Sequence, residues 1–135
     1  MLGIADADTA EHNSGSEHIV ISPVSCPVPY RLPNAPKLSG AGCIKIEAGS
    51  LLHAIYACHQ VDEEYFCNYE VNPEYEEKLQ NAGLRVTARG PQGEARAVEI
   101  PGHSFFVATL FQPQLSSTPD RPHPVLLAFL RAAGH

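Results

Sequence analysis

The stretch Ser-Phe-Phe-Val-Ala-Thr-Leu-Phe, residues 104–111, decides the fold of this chain. It is almost wholly apolar and mixes aromatic with β-branched side chains, which is typical of a strand buried on both faces of a sheet. Pro101 and Gly102 precede it and Pro113 follows it, so turn residues bound the strand on both sides. Because ligands bind at the carboxyl ends of strands in open α/β sheets, a site is expected at residues 111–114, Phe-Gln-Pro-Gln.

The remaining chain has the patterns of further strands and of three helices. Short apolar or alternating runs predict strands, and a turn rich in Pro and Gly predicts a hairpin. The predicted strands are residues 18–23, 42–47 and 63–71. The predicted hairpin pairs residues 84–88 with residues 95–100. Residues 1–17 are small and polar, and we expect them to be irregular. Strands mixed with helices around an antiparallel hairpin indicate an α/β fold.

Capping residues mark where the three helices begin. Ser50 is expected to cap the first, and Asn72 followed by Pro73 to open the second, which Gly83 ends. Pro124 opens the third. The apolar residues of this third helix predict a buried stripe made of Val125, Leu126, Phe129 and Leu130.

Length and charge exclude several classes of function. The 135 residues make one domain or a large part of one. The net charge of -6, without any Lys or Arg cluster, argues against a nucleic-acid partner. No apolar run has the length of a membrane span, and no signal peptide is recognisable, so we expect a cytoplasmic protein without membrane contact. Its four cysteines are then expected to be thiols.

Three separated segments resemble the class I glutamine amidotransferase domain at the C-terminus of CTP synthases. Residues 69–75, Tyr-Glu-Val-Asn-Pro-Glu-Tyr, are similar to the family segment R-Y-E-x-N-P-x-Y, and residues 117–124 to its S-x-P-x-x-P-H-P loop. Residues 101–114 resemble the last core strand of that domain. The resemblance implies the C-terminal half of a flavodoxin-like amidotransferase fold, with a mixed sheet. A branch of CTP synthase-related proteins, some of them selenoproteins, fits best.

The resemblance places two amides where the family has catalytic groups. Its last core strand ends with the His and Glu of a Cys-His-Glu triad, and these positions hold Gln112 and Gln114. An amide has no basic nitrogen, so Gln112 cannot act as general base and Gln114 cannot hold an imidazolium. No catalytic residue is therefore intact. Two interpretations stay open: a vestigial site kept for packing, or a retained ligand site.

The substrate-binding position has changed as well. In the family an Arg directly before the Tyr pairs with the carboxylate of glutamine, and Asn68 stands there. Asn cannot reproduce that bidentate contact. Tyr69 is kept and could still line a pocket. We therefore keep Asn68 and Tyr69 as candidate substrate-binding residues.

Two cysteines are candidate reactive thiols. Cys26 follows a predicted strand and Cys67 lies on a strand beside the expected pocket; the alternative is that both are buried and inert. A zinc site built from Cys58, His59 and Cys67 lacks the paired short spacings of structural zinc motifs, so no metal and no cofactor are expected.

His103 and His123 match family positions outside the triad. Neither is a convincing replacement base, because no nucleophile accompanies them. His123 is predicted to cap the last helix or to bond within its loop.

The resemblance also places residues 2–7 just past the helix that follows the catalytic cysteine, so a partial domain over 1–135, without the nucleophile elbow, is expected. One hypothesis is a degenerate amidotransferase-like binding or partner module without glutaminase activity. Another is a truncated reading of a longer enzyme that uses an upstream Cys or selenocysteine. A weaker one is a glutaminase half that pairs with a separate synthase subunit. The candidate partners are the missing N-terminal half, a synthase-type subunit or a second copy.

Overall fold

A computed structural model describes residues 3–25 and 34–134. The elements in chain order are β1 (Ala7–Thr9), β2 (His18–Pro23), β3 (Leu38–Ile46), α1 (Leu51–Tyr56), β4 (Gln60–Cys67), β5 (Tyr69–Val71), α2 (Pro73–Asn81), β6 (Arg85–Arg89), β7 (Ala95–Glu99), β8 (Val107–Thr109), α3 (Pro113–Ser116) and α4 (Pro124–Ala132). The short helix α3 was not predicted, since the prolines around it indicate a loop.

The strands form two sheets. The first has the order β1-β2-β5, with β1 parallel and β5 antiparallel to β2. The second has the order β4-β3-β6-β7-β8 and is antiparallel throughout, with the predicted hairpin formed by β6 and β7. The α/β class, the mixed sheet and the antiparallel hairpin are therefore confirmed.

The predicted helix starts are confirmed by side-chain caps. The Ser50 hydroxyl accepts from the His53 backbone N, and the Asn72 amide oxygen accepts from the Glu74 backbone N. The His123 side chain accepts from the Val125 backbone N and so caps α4, as one of the two roles proposed for it requires. Each cap satisfies a backbone donor that the helix itself cannot pair, which is why the helices begin there.

The strand expected at residues 104–111 is shorter and less buried than predicted. Only Val107–Thr109 is a strand, and it lies at the edge of its sheet, where it pairs with β7 alone. Phe106 is 37% exposed and Ala108 is exposed too, whereas Phe111 is buried at 1%. The prediction of burial on both faces is wrong within the described chain, because an edge position leaves one side of β8 uncovered.

The predicted strand 63–71 is two strands in different sheets. β4 ends at Cys67 and belongs to the five-stranded sheet, while β5 belongs to the three-stranded one. Asn68 lies between them, and its carbonyl accepts from the Val24 backbone N at 2.8 Å. The alternating pattern of residues 63–71 does not reveal this break, because it does not show which strand each half pairs with.

Residues 1–17 are not wholly irregular. β1 pairs in parallel with β2, and the Ala10 backbone N donates to the Ile21 carbonyl at 2.9 Å. The prediction is wrong here because residues 7–10 form backbone hydrogen bonds with β2, which a polar composition does not indicate.

The apolar stripe predicted for α4 is buried only at Val125. The others are exposed, at 38% for Leu126, 53% for Phe129 and 49% for Leu130. The helix instead packs on α1 through its other side, where Leu127 and Ala128 line a groove shared with α1 residues. The prediction of a buried stripe is wrong because a different side of α4, the one with Leu127 and Ala128, faces α1.

The main core lies between the five-stranded sheet and the helices α1 and α4. Its buried side chains are Ile44, Ile46, Leu52, Tyr65, Ala88, Ala97, Phe111 and Val125. No helix in the described part of the chain is both long and apolar enough to cross a bilayer.

Candidate functional site

Gln112 lies at the start of α3, directly after the buried Phe111. Its backbone N donates to the Glu64 carbonyl at 2.8 Å, and its side-chain Nε2 donates to the Phe66 carbonyl at 3.1 Å. The two carbonyls are two residues apart on β4, so they point to the same side of that strand. Gln112 therefore hydrogen-bonds to the edge of β4 as a neighbouring strand would. One bond comes from its backbone N, and the other comes from its side-chain amide, where a strand would use the N–H of a second residue.

Gln114 is different. It is exposed within α3, and no side-chain hydrogen bond of Gln114 occurs among the described residues. The two amides predicted from the sequence are thus not joined to each other, and only Gln112 is tied to the sheet.

Asn68 joins three segments of backbone. Its side-chain oxygen accepts from the Lys37 backbone N at 2.9 Å, while its carbonyl holds Val24. The side chain that the resemblance places at the substrate carboxylate therefore has a hydrogen-bonding role in the chain itself. This role is well suited to a neutral amide, which accepts from a backbone N–H where a guanidinium could not.

Tyr69 is half-buried and lines a cavity of about 270 Å³ between β5, β7 and β8. The walls are mostly aliphatic, and two charged side chains, Glu70 and Arg96, also line it. Tyr69 thus lines a largely apolar cavity, and its role as a substrate-binding residue stays a prediction.

A buried ion pair lies at this cavity. Arg96 donates to Glu70 at 3.1 Å and to Glu94 at 2.6 Å, and the Arg96 and Glu70 side chains are 3% and 2% exposed. The other Glu70 oxygen accepts from the backbone N and the hydroxyl of Ser25. The Arg96 guanidinium also lies over the Tyr65 ring, 5.5 Å from its centroid. Sequence reasoning missed this network; an Arg between two alanines of a buried strand was the available signal.

A second buried polar cluster joins three elements: Tyr56 at the end of α1, Glu63 on β4 and His123 before α4. His123 Nε2 lies 3.1 Å from both carboxylate oxygens of Glu63, and the Tyr56 hydroxyl donates to the same carboxylate. Burial, followed by the Glu63 hydrogen bond and charge, raises the pKa of Tyr56 far above its ordinary value, so it remains a donor. Of these residues, sequence reasoning singled out only His123.

Cys67, the candidate thiol among the described residues, gives no sign of activation. Cys26 lies outside the described residues, and Cys67 is half-buried with its sulfur 3.6 Å from the Leu110 carbonyl oxygen. Burial raises the pKa of the Cys67 thiol, against a smaller opposing effect of Arg96. Cys43, Cys58 and Cys67 are all free.

Over 3–25 and 34–134, no group of three or more His, Cys, Asp or Glu side chains is arranged to hold a metal. His103 is exposed, and its Nδ1 accepts from the Phe105 backbone N at 3.2 Å within its own turn.

Comparison with known proteins identifies the relationship. No protein-family model matches the sequence. CTP synthase of Caldivirga maquilingensis is 38% identical over 98% of this chain and 25% of its own length, and CTP synthase of Methanopyrus kandleri is 33% identical over the same shares. The solved Trypanosoma brucei CTPS glutaminase domain, with bound acivicin, superposes with a TM-score of 0.86 at 35% identity, covering 99% of this chain and 53% of that one. The chain is related to the CTP synthase glutamine amidotransferase domain.

The relationship confirms the family resemblance and the fold predicted from it. The chain spans about a quarter of the length of its curated relatives, in their C-terminal part. Within the amidotransferase frame, the Gln112 amide is bonded to β4 and the Asn68 amide to the segment before β3. Gln112 and Asn68, two of the positions that the resemblance makes functional, are therefore amides that hydrogen-bond to the backbone of this chain.

Proposed function

We propose that this chain is an amidotransferase-like pseudoenzyme, a binding or partner module that does not itself hydrolyse glutamine. The observation that carries the proposal is the Gln112 side chain, whose nitrogen donates to the Phe66 carbonyl. A general base must accept a proton from the nucleophile, and an amide nitrogen has no basic lone pair to do so. Gln112 therefore hydrogen-bonds to the edge of β4 and does not take part in proton transfer.

Asn68 supports the same proposal from the side of substrate recognition. Its oxygen already accepts from the Lys37 backbone N. The side chain is neutral, so it offers a glutamine carboxylate neither a charge nor the paired donors of a guanidinium. Loss of the base and of the carboxylate partner together removes two separate requirements of glutamine hydrolysis.

The direct test is ammonia release from glutamine by the purified chain, with an active glutaminase as the positive control. We expect no release above the buffer rate. Gln112→His alone should not restore activity, because Asn68 still lacks the charge for the substrate. Release above the buffer rate that disappears in Gln112→Ala would overturn the proposal.

The proposed partner is the remainder of an amidotransferase-type domain, on the same polypeptide or on another. Three large side chains of α4, Leu126, Phe129 and Leu130, are 38–53% exposed, and β8 has an unpaired edge within the described chain. The related T. brucei domain is nearly twice as long as the part matched here. A cytoplasmic location and a role in pyrimidine nucleotide biosynthesis belong to this proposal and rest on the relationship alone.

Sedimentation of the purified chain tests this partner. We expect Phe129→Ser to reduce self-association or co-purification with a second polypeptide, while the exposed Lys78→Ser has no effect. A strict monomer with a sharp unfolding transition would contradict the need for a partner. Concentration-dependent homodimers would assign the apolar side to a second copy, and a bound synthase subunit would assign it to that protein.

A second candidate function is that of a longer CTP synthase-related enzyme with an upstream Cys or selenocysteine. The observation in its favour is that the chain matches only 53% of the solved glutaminase domain. The DNA upstream of the Met1 codon tests it. An open frame encoding a glycine-rich turn with a Cys or UGA codon supports this candidate, and several ordinary stop codons in that frame exclude it.

A further inference from the structure

The cluster of Tyr56, Glu63 and His123 borders a cavity of about 380 Å³. β4, α3 and the segment before α4 supply most of its other lining, including Ser116 and Arg121. A cavity of this size in which a few polar groups converge is the usual form of a small-molecule site. It is separate from the apolar cavity beside Tyr69, with which it shares no lining residue.

The hydrogen bonds determine which nitrogen of His123 carries the proton. The Val125 backbone N can only donate, and it donates to His123 Nδ1 at 3.2 Å. Nδ1 therefore holds a lone pair, and the ring proton is on Nε2, where it points to Glu63. His123 is thus a neutral imidazole, and Tyr56 is a neutral phenol because its pKa is raised.

Within residues 3–25 and 34–134, Glu63 is consequently a buried carboxylate without a compensating positive charge. It is 3% exposed, and its two hydrogen-bond donors are both neutral. The N-terminus of α4 adds only a partial charge of about half a unit. A buried charge is stable when a counter-charge accompanies it, and the carboxylate still has acceptor positions for another donor. The cavity is where such a donor can enter.

The opposite charge is available at the same cavity. Arg121 is exposed and lines it, and its guanidinium makes no hydrogen bond or ion pair in the described part of the chain. The other charged lining residues, Asp62 and Glu64, are exposed neighbours on β4. The cavity therefore combines a buried negative group with a free positive group at its surface.

We propose that this cavity binds a small zwitterion, with its ammonium group on Glu63 and its carboxylate on Arg121. The buried carboxylate supplies the counter-charge position for the ammonium. The planar guanidinium is suited to a bidentate contact with a carboxylate. This inference is independent of glutamine hydrolysis, because a ligand without a side-chain amide meets both requirements.

Glycine is the probe, and its two single-charge analogues are ethylamine and acetate. Titration of the full chain, followed by NMR signals of the His123 ring and the Arg121 side chain, should give saturable shifts with glycine. Each analogue should bind at least about tenfold more weakly, a factor that corresponds to about 1.4 kcal/mol. Arg121→Ala should weaken glycine binding by a similar factor, whereas Arg131→Ala, an exposed Arg outside the cavity, should not.

Glu63→Gln should abolish glycine binding, and because this buried change could impair folding, the exposed Arg121→Ala variant keeps the test decisive. Absence of saturable shifts with glycine would overturn the proposal. So would equal binding of ethylamine or acetate, or glycine binding that Arg121→Ala leaves unchanged.

Discussion

The polar groups near the carboxyl end of β4 differ in charge and in burial from those in its middle. Near its carboxyl end, Gln112 and Asn68 are uncharged, partly exposed and bonded to backbone. In its middle, Glu63 is charged, nearly inaccessible and bonded to the side chains of Tyr56 and His123. The resemblance directs attention to the first region, whereas the second holds a buried carboxylate.

This difference shows that the positions singled out by the resemblance are not the positions where a charged group is buried. An amide at a position that the resemblance makes catalytic can satisfy backbone carbonyls that would otherwise lack a donor. A buried carboxylate is costly, so its presence beside a cavity requires a partner or a purpose. The comparison thus assigns support to the amides and binding to the carboxylate.

The largest effect is expected where a buried carboxylate loses the counter-ion that it has in the described chain. Arg96→Met leaves Glu70 without a counter-ion in a site that is 2% exposed, and should reduce the free energy of unfolding by about 3–5 kcal/mol. Arg85→Met breaks the exposed pair with Glu47 and should cost less than about 1 kcal/mol. Urea denaturation of both variants measures the difference, and equal losses would contradict the distinction between buried and exposed charge.

A smaller effect is expected from the phenol of the second cluster. Tyr56→Phe removes a donor from the buried Glu63 carboxylate and should cost about 1–3 kcal/mol. Tyr69→Phe is the matched control, since the Tyr69 hydroxyl makes no hydrogen bond in the described chain, and its cost should stay within about 0.5 kcal/mol. Thermal unfolding of the two variants compares them; a neutral Tyr56→Phe would mean that Glu63 does not depend on this donor.

The smallest effect concerns the amide that supports β4. Gln112→Ala should lower the free energy of unfolding by about 1 kcal/mol, because it leaves the Phe66 carbonyl without its donor. Gln114→Ala removes an exposed amide without a bond, so its effect should stay within about 0.5 kcal/mol. The same urea experiment compares them, and a larger loss for Gln114→Ala would reverse the assignment of roles.

The sequence could predict the elements whose signals are local. Capping residues such as Ser50 and Asn72 fix a helix start by themselves, and β2 and the β6–β7 hairpin are read from short patterns between turns. The family segments were likewise enough to predict the fold. These signals need no knowledge of distant partners.

What the sequence could not predict depends on contacts between distant segments. The break at Asn68 follows from bonds to Val24 and Lys37, and the exposure of Phe129 follows from the side of α4 that faces α1. The cluster around Glu63 joins residues as far apart as 56 and 123. An alternating strand pattern shows which residues share a face but not which distant group meets them.

The central claim, that the Gln112 amide supports the sheet, is tested most directly by hydrogen exchange of side-chain amide protons. NMR resolves the Nε2 protons of Gln112, which directly precedes α3, and of Gln114 within it. The account predicts that a Gln112 proton exchanges more slowly than those of Gln114, because the Phe66 carbonyl accepts it. Equal, fast exchange of both side chains would contradict the claim and leave Gln112 free to contact a ligand.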